Sequence, residues 1–159
     1  MHFSSRTDIE APIEFVFETL SDFEGWERAA LRRGADVSRI DKLKMPGPGM
    51  AWNGRFRFRG KPREIEIQLT EIERNARMAF AAASTMFQAT IEAELVRLAA
   101  NRTRLVAHLT VKPMTLGARL VLQSVKLAKG KAQHRLNKRM AQLAAELEQR
   151  YASTRNPRF

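Results

Sequence analysis

The apolar residues change from a period of two to steps of three and four near Gly117, and that change restricts the fold more than any other feature. From Gly34 to Lys112 apolar and polar residues alternate with a period of two, which predicts strands with one buried face. After Gly117 apolar residues recur at steps of three and four for about 30 residues, which predicts one long helix with a bend at Gly130. Because such a helix must cover its apolar stripe, we expect it to lie on the inner face of the sheet.

Two short helices are predicted before most of the sheet. Residues 2–10 read as extended, and Pro12 suits the first turn of a helix, where its missing N–H costs nothing. Helical spacing continues to Leu20, and Ser21 or Asp22 can cap a second short helix. The predicted order is a strand, two short helices, about six strands and a long C-terminal helix, which is an α+β arrangement with an antiparallel sheet.

Charge and hydrophobicity together predict the register of one hairpin. With a two-residue turn at positions 60–61, Arg57 would lie opposite Glu64 on one face of the sheet. The same register places Phe56 opposite Ile65 on the other face. The apolar alternation of the later strands then assigns each of them an inner and an outer side.

The length of 159 residues fits one domain, which we place at residues 1–152, with 153–159 as a flexible basic tail. The chain has no cysteine, which excludes disulfides, thiolate zinc sites and cysteine nucleophiles. No apolar run predicts a membrane span, and the first residues lack the pattern of a signal peptide. A cytoplasmic location is therefore expected.

The net charge of +11 is concentrated near the C-terminus. Residues 117–159 carry 10 Lys and Arg against 2 Asp and Glu, whereas residues 1–116 carry 18 against 15. Such a segment attracts anionic partners, and an acidic lipid surface is the partner we consider for Lys126, Lys129, Lys131 and Arg135. A solvated basic face is the alternative. Nucleic acid is not expected, because the basic helix lacks interleaved exposed aromatic residues and no binding motif accompanies it.

Residues 9–26 read IEAPIEFVFETLSDFEGW. This stretch is similar to the N-terminal signature of the START-like superfamily, also called SRPBCC, which includes polyketide cyclase/dehydrase-like proteins. The resemblance implies a helix-grip fold, in which a curved antiparallel sheet of about six or seven strands wraps around the long C-terminal helix. It also implies an apolar cavity between that helix and the sheet.

Small residues at mid-strand positions support such a cavity independently. Ala82, Ala89, Ala93 and Ala107 occupy places where Leu or Phe would fill space. Close packing of the helix against these alanines is the alternative. The residues predicted to line the cavity are Phe23, Trp26, Trp52, Phe56, Phe58, Ile67, Phe80, Ala82, Phe87, Ala89, Ile91, Ala93, Ala107, Leu109, Val125, Ala128 and Ala132. Two loops, residues 43–52 and 112–117, are predicted to border its entrance through Met45, Met50 and Met114.

No catalytic residue is assigned. The predicted inner face from Trp52 to Val111 contains no Asp, Glu, His, Lys or Tyr, so it offers no general acid or base. The lone His108 is predicted on the outer face, where it would form an ion pair with Glu92. No spacing of metal ligands and no nucleotide-binding motif is present, so neither a metal nor a cofactor is expected.

These observations favour the binding or transport of a hydrophobic small molecule, such as a lipid, an isoprenoid or a polyketide-like compound. One alternative is an enzyme similar to polyketide cyclases or dehydratases. It would need a polar group inside the cavity, and the first candidates are Asn53, Arg55, Arg57 and His108. The other alternative is a non-enzymatic interaction protein or a coenzyme-Q-binding helper protein.

Overall fold

Seven strands form one antiparallel sheet in the computed structural model, which describes residues 1–155. The strands are β1 (His2–Ile9), β2 (Asp36–Arg39), β3 (Ala51–Phe58), β4 (Lys61–Glu73), β5 (Arg77–Ala83), β6 (Phe87–Ala99) and β7 (Arg102–Pro113). The helices of the same residues are α1 (Ile13–Leu20), α2 (Phe23–Arg32), α3 (Leu116–Leu127) and α4 (Lys129–Arg155). The order across the sheet is β1-β7-β6-β5-β4-β3-β2. The predicted α+β architecture is confirmed.

The alternation of the strands places the apolar residues on one face, which we call the inner face because the helices pack on it. One row of paired residues crosses five neighbouring strands and consists of Leu69, Phe80, Ile91, Leu109 and Phe3. The first four belong to the sets that the period of two assigns to the inner face, and the pairing with Leu109 places Phe3 on the same face. Successive side chains of a strand point to opposite faces, so the intervening residues form the outer face.

The predicted register of the β3–β4 hairpin is wrong by two residues. Its turn is formed by Arg59 and Gly60, which both have positive φ angles of 52° and 73°. Two-residue turns of this kind need positive φ at both central positions. Phe56 therefore lies opposite Arg63 instead of Ile65. A shift of two residues leaves every side chain on its predicted face.

The long C-terminal helix predicted from the periodicity is two helices. Ala128 leaves helical geometry with φ −104° and ψ 26°, which ends α3 two residues before the predicted bend at Gly130. The second helix, α4, runs to Arg155, so residues 153–155, which we predicted as the start of the tail, are helical. The remainder of the predicted tail, residues 156–159, lies outside the described residues.

The core lies at one end of the inner face, where α1 and α4 cover the sheet. Ile9, Val16, Leu69 and Leu147 are completely or almost completely buried there. The helix α4 crosses β1, and the Ser5 hydroxyl donates a 2.7 Å hydrogen bond to an α4 side-chain amide. The opposite end of the inner face, near the β3–β4 turn and α3, is not covered by this core. Within residues 1–155, the structure has no helix that is long and apolar enough to cross a membrane.

The connection between β1 and α1 depends on a buried hydrogen bond. Thr103 Oγ1, on β7, donates to the Ala11 carbonyl at 2.8 Å, and both residues have no exposed surface. Pro12 follows with φ −63° and ψ 148°, and α1 begins at the next residue. The bond thus holds the chain at the point where it leaves the sheet and enters the helical layer.

We expect Thr103→Val to lower the free energy of unfolding by about 1–2 kcal/mol, because it keeps the shape of the side chain but removes the donor for a buried carbonyl. Urea denaturation followed by circular dichroism measures the change. Thr90→Val is the matched control, since Thr90 is exposed on β6 and its change should be close to neutral. Equal stability of wild type and Thr103→Val would contradict the assigned role of this bond.

Candidate ligand-binding site

Apolar side chains remain accessible on the inner face between the β3–β4 turn and the middle of β6. Ile91 lies on a strand with neighbours on both sides and is still 37% exposed, and Phe58 is 55% exposed. We call this area the open inner face and define it by Phe56, Phe58, Ile65, Phe87, Ala89 and Ile91. Apolar residues on central strands are normally covered by another layer, so this area can accept an apolar ligand.

An aromatic cluster separates the open inner face from the core. The ring of Phe23, on α2, lies 5.4 Å from that of Trp52 and 6.3 Å from that of Phe80. Trp52 Nε1 donates a 2.7 Å hydrogen bond to Glu27 Oε1, which fixes the indole and attaches α2 to β3. Asp22 caps α2 by accepting a hydrogen bond from the Gly25 N–H. This cluster forms the closed wall of the site.

Arg63 is a charged residue on the inner face that the sequence reasoning did not single out. It lies opposite Phe56 in the hairpin, and its side chain is partly buried. Its Nη1 contacts the sulfur of Met86 at 3.9 Å, and its buried Nε has no hydrogen-bond partner among the described residues. The alternation through Ile67 and Ile65 extends to position 63, so the sequence did contain the signal for its orientation.

The surroundings of Arg63 define what it can bind. None of the ion pairs formed by residues 1–155 involves its guanidinium. A buried N–H without an acceptor costs free energy, and a carboxylate, phosphate or carbonyl oxygen would supply that acceptor. A guanidinium binds carboxylate and phosphate oxygens especially well because of its planar set of donors. The site therefore combines an apolar surface with one unsatisfied cationic donor.

Most residues predicted to line the cavity lie on the inner face, in the open area or beside it. These are Trp52, Phe56, Phe58, Ile67, Phe80, Ala82, Phe87, Ala89, Ile91, Ala93, Ala107 and Leu109. Phe23, Trp52 and Ala82 are buried in the wall and the floor. Val125 and Ala132 are partly buried, and Ala128 is exposed at the break between α3 and α4. Contact of these residues with a ligand stays a prediction.

Trp26 lies away from the inner face, contrary to its predicted place in the cavity. Its Nε1 donates to the Leu20 carbonyl at 3.0 Å, and its ring borders a groove of about 660 Å³ between α2 and α4. Phe23 and Trp26 are three residues apart on a short helix. Phe23 reaches the sheet, while the internal hydrogen bond holds Trp26 against the end of α1.

Of the three methionines predicted at the entrance, only Met114 lies beside the open inner face. Its N–H donates to the Met86 carbonyl at 2.8 Å, and its side chain is exposed. Met50 is buried in the core, where its carbonyl accepts from the Leu69 N–H, so it does not border an entrance. Met45 is exposed on a loop whose neighbouring residues, such as Gly49, border the outer face instead.

Asp41 determines the position of that loop. Its carboxylate accepts hydrogen bonds from Arg39 Nε at 2.7 Å and from the N–H groups of Leu43 and Ala51, both at 2.9 Å. The hydrogen bond from Arg39, followed by that from Ala51, holds the pKa of Asp41 well below its usual range. The loop is thereby attached to the edge of a shallow outer-face groove of about 760 Å³.

The outer-face groove differs in chemistry from the site on the inner face. Its lining combines short side chains such as Ala81 and Thr90 with the ionisable groups of Glu66 and Lys112. It lies on the side of the sheet opposite to Arg63. A hydrophobic ligand would find the larger aromatic and aliphatic side chains on the inner face.

His108 lies opposite Glu92, as predicted, but the predicted ion pair between them is not formed. Glu92 accepts a hydrogen bond from Arg77 at 3.3 Å, and the His108 ring stacks on that of His2 at 5.7 Å. Arg77, on the neighbouring strand, therefore binds the Glu92 carboxylate that we predicted as the partner of His108. Among residues 1–155, no group of three or more His, Asp or Glu side chains is placed to hold a metal ion.

Comparisons with known proteins agree with this geometry. The sequence matches the family model for polyketide cyclase/dehydrase and lipid transport over residues 1–148. The fold is similar to that of the Zhui aromatase/cyclase from Streptomyces sp. R1128, with a TM-score of 0.68, 15% identity and 94% of each chain covered. It is also similar to a protein from Thermus thermophilus, with a TM-score of 0.66, 17% identity, and 97% of this chain and 99% of that chain covered.

A START superfamily protein from Mycobacterium smegmatis has the same fold, with a TM-score of 0.57 and 16% identity over 89% of this chain and 98% of that chain. No curated protein matches the sequence. The predicted resemblance to START-like proteins and the predicted helix-grip fold are confirmed.

The bonds of Asp41 lead to a pH-dependent prediction. A carboxyl group whose pKa is lowered by folding stabilises the folded state at pH values above its unfolded pKa of about 4, and this contribution is lost as the pH falls through the folded pKa. We therefore expect Asp41→Asn to lower the melting temperature at pH 7, with a difference from wild type that shrinks at pH 3. Thermal denaturation at both pH values measures it. Asp36→Asn, on an exposed carboxylate 3.8 Å from Arg55, should change little, and equal effects of the two variants would contradict the prediction.

Proposed function

The chain belongs to the polyketide cyclase/dehydrase and lipid transport family, and from this premise we propose that it binds or transports a hydrophobic small molecule on the open inner face. The observation that carries the proposal is the exposure of apolar side chains on central strands, with Ile91 as the clearest case. A ligand that covers this area would remove apolar surface from water, which contributes about 25 cal/mol for each Å² buried.

The chemical class of the ligand follows from Arg63. Its buried Nε lacks an acceptor, and Phe56 and Phe87 belong to the apolar area next to it. A ligand that matches both features has an apolar body and a carboxylate, phosphate or carbonyl oxygen at one end. Lipids, isoprenoids and polyketide-like compounds with such a group fit this description.

A polyketide cyclase-like enzyme is the second candidate, and Arg63 is also the observation that favours it. A guanidinium in an apolar site can stabilise negative charge that develops on a carbonyl oxygen. The four polar residues that we considered for an inward position, Asn53, Arg55, Arg57 and His108, all lie on the outer face by their register. Binding without turnover is therefore the function that we favour.

Three further expectations remain predictions. They are a non-enzymatic interaction or coenzyme-Q-binding helper role, a cytoplasmic location, and attraction to acidic lipid through Lys126, Lys129, Lys131 and Arg135. All four basic side chains are exposed. The last expectation concerns a surface outside the proposed ligand site.

The location of the ligand can be tested with two substitutions at neighbouring positions of β6. We expect Ala89→Phe to weaken the binding of cis-parinaric acid at least about tenfold, because the new ring would fill part of the inner face. Fluorescence titration measures the dissociation constant. Thr90→Phe is the matched control, since Thr90 lies on the outer face and borders the groove there.

Undiminished binding by Ala89→Phe would be inconsistent with an inner-face site; a loss confined to Thr90→Phe would place the probe in the outer-face groove. Melting temperatures of both variants separate a blocked site from a misfolded protein.

The role of Arg63 can be tested with Arg63→Met, which keeps a long apolar stem but removes the charge. We expect about tenfold weaker binding of cis-parinaric acid, since a hydrogen bond to a charged group contributes about 1.5–3 kcal/mol. The methyl ester of the probe keeps the carbonyl oxygen but loses the charge, so Arg63→Met should weaken its binding less than that of the acid. Arg55→Met is the control, because Arg55 is an exposed arginine of the same hairpin on the outer face. Equal losses for acid and ester would argue against a charge-specific contact.

A further inference from the structure

The helix α3 carries leucines on the side that points away from the rest of the protein. Leu116, Leu120 and Leu127 are 78%, 65% and 93% exposed. At 100° per residue they lie within about 40° of one another around the helix axis, so they form one stripe. We call these three residues the leucine face.

The leucine face is not needed to pack α3 against the protein. The opposite side of the helix does that, with Ala118 completely buried and Leu122 and Val125 partly buried. The helix is thus apolar on two sides, of which one has no partner among the described residues. Scattered exposed leucines are normal on protein surfaces, but a contiguous exposed stripe indicates an interaction site.

The break at Ala128 gives α3 surroundings that differ from those of α4. The helix α4 has its apolar residues in the core, whereas α3 is attached to the sheet by one side and exposes leucines on the other. The helix α3 begins at Leu116, two residues after Met114, and therefore starts beside the opening of the inner face.

The charges around the leucine face indicate which partner fits it. The sequence has no acidic residue between Glu94 and Glu146, and α3 and the start of α4 are basic. The exposed basic residues of this segment are Arg119, Lys126, Lys129, Lys131 and Arg135. None of them takes part in the ion pairs of residues 1–155. Lys129 Nζ lies 6.0 Å from the centre of the Phe3 ring, whereas the charges of the other four are available to an anionic partner.

We propose that α3 docks the protein on an anionic lipid bilayer, with the leucine face in the interface and the flanking basic residues on the head groups. Helices that lie in the plane of a membrane surface have this combination of apolar and basic residues. Each basic side chain near an anionic bilayer contributes to attraction that salt weakens. A second copy of this chain fits less well, because it would bring two strongly basic surfaces together.

The position of α3 relates this surface to the ligand site. Thr115 Oγ1 accepts a hydrogen bond from the Ala118 N–H at 3.0 Å and caps the helix. The preceding residue, Met114, donates to the Met86 carbonyl, and the sulfur of Met86 contacts Arg63. The leucine face therefore begins beside the open inner face. If the proposed ligand binding is correct, docking would bring that opening close to the lipid surface; the docking itself does not require a ligand.

The test is cosedimentation of the full chain with vesicles of phosphatidylcholine alone or mixed with phosphatidylglycerol. Wild type should bind the mixed vesicles, and high salt should weaken the binding. Leu120→Ser should lower the partition constant about tenfold, which is the effect expected for a leucine side chain that becomes buried. Leu31→Ser is the matched control, because Leu31 on α2 has the same 65% exposure but lies on another surface. It should bind like wild type.

The contribution of charge is tested by the double substitution Lys126→Glu and Lys129→Glu, which should abolish the preference for the mixed vesicles. Lys42→Glu with Lys44→Glu is the matched control on an exposed loop and should retain most of the preference. No binding of wild type to mixed vesicles, or equal losses for Leu120→Ser and Leu31→Ser, would overturn the proposal. A wild-type dimer in light scattering that Leu120→Ser dissociates would assign the leucine face to a second copy instead.

The vesicle assay tests the docking of α3, and the probe titration tests the proposed ligand site, so the two results are independent. Vesicle binding without probe binding would support α3 docking and argue against the proposed ligand site. Probe binding without vesicle binding would do the opposite. Ala89→Phe, whose new side chain lies on β6 and not on α3, should bind vesicles like wild type.

Discussion

The packing of α4 across β1 decides how the rest of the inner face can be used. Met140, Ala144 and Leu147 bury one side of α4 in the core, and the hydrogen bond from Ser5 to Asn137 fixes the helix on the first strand. A straight helix can cover only a limited part of a seven-stranded sheet. Because α4 packs against β1, it does not cover the strands near the β3–β4 turn, and their apolar side chains stay accessible. The open inner face is therefore a consequence of the position of the core.

Arg63 is a charged residue among the aromatic and aliphatic side chains of the open inner face. A guanidinium among aromatic and aliphatic side chains is costly unless an acceptor satisfies it. Its buried Nε has no such acceptor in the described part of the chain. Local conflicts of this kind are expected at functional sites, where the missing partner belongs to the ligand. The same residue suits a bound acid and a polarised carbonyl, which is why binding and catalysis share one candidate residue.

Residue spacing alone predicted the order of the strands and helices, except for the division of the C-terminal helix into α3 and α4, and it predicted the face on which the strand residues lie. Period-two alternation is robust, because even the two-residue error at Phe56 and Arg63 left both side chains on their correct face. The N-terminal motif also identified the family. These features are local: they depend on residue spacing, on Pro12 and on helix caps, which act over a few positions of the chain.

Which apolar residues are covered, and which polar residues lack partners, depends on the folded arrangement of the whole chain. Met50 and Met114 look alike in sequence, yet one is buried beside Leu69 and the other is exposed beside Met86. The sequence did not predict the leucine face for the same reason. The helix α3 is apolar on two sides, and periodicity does not say which side contacts the sheet. Burial and hydrogen bonding are properties of contacts between distant segments, and those contacts exist only once the chain has folded.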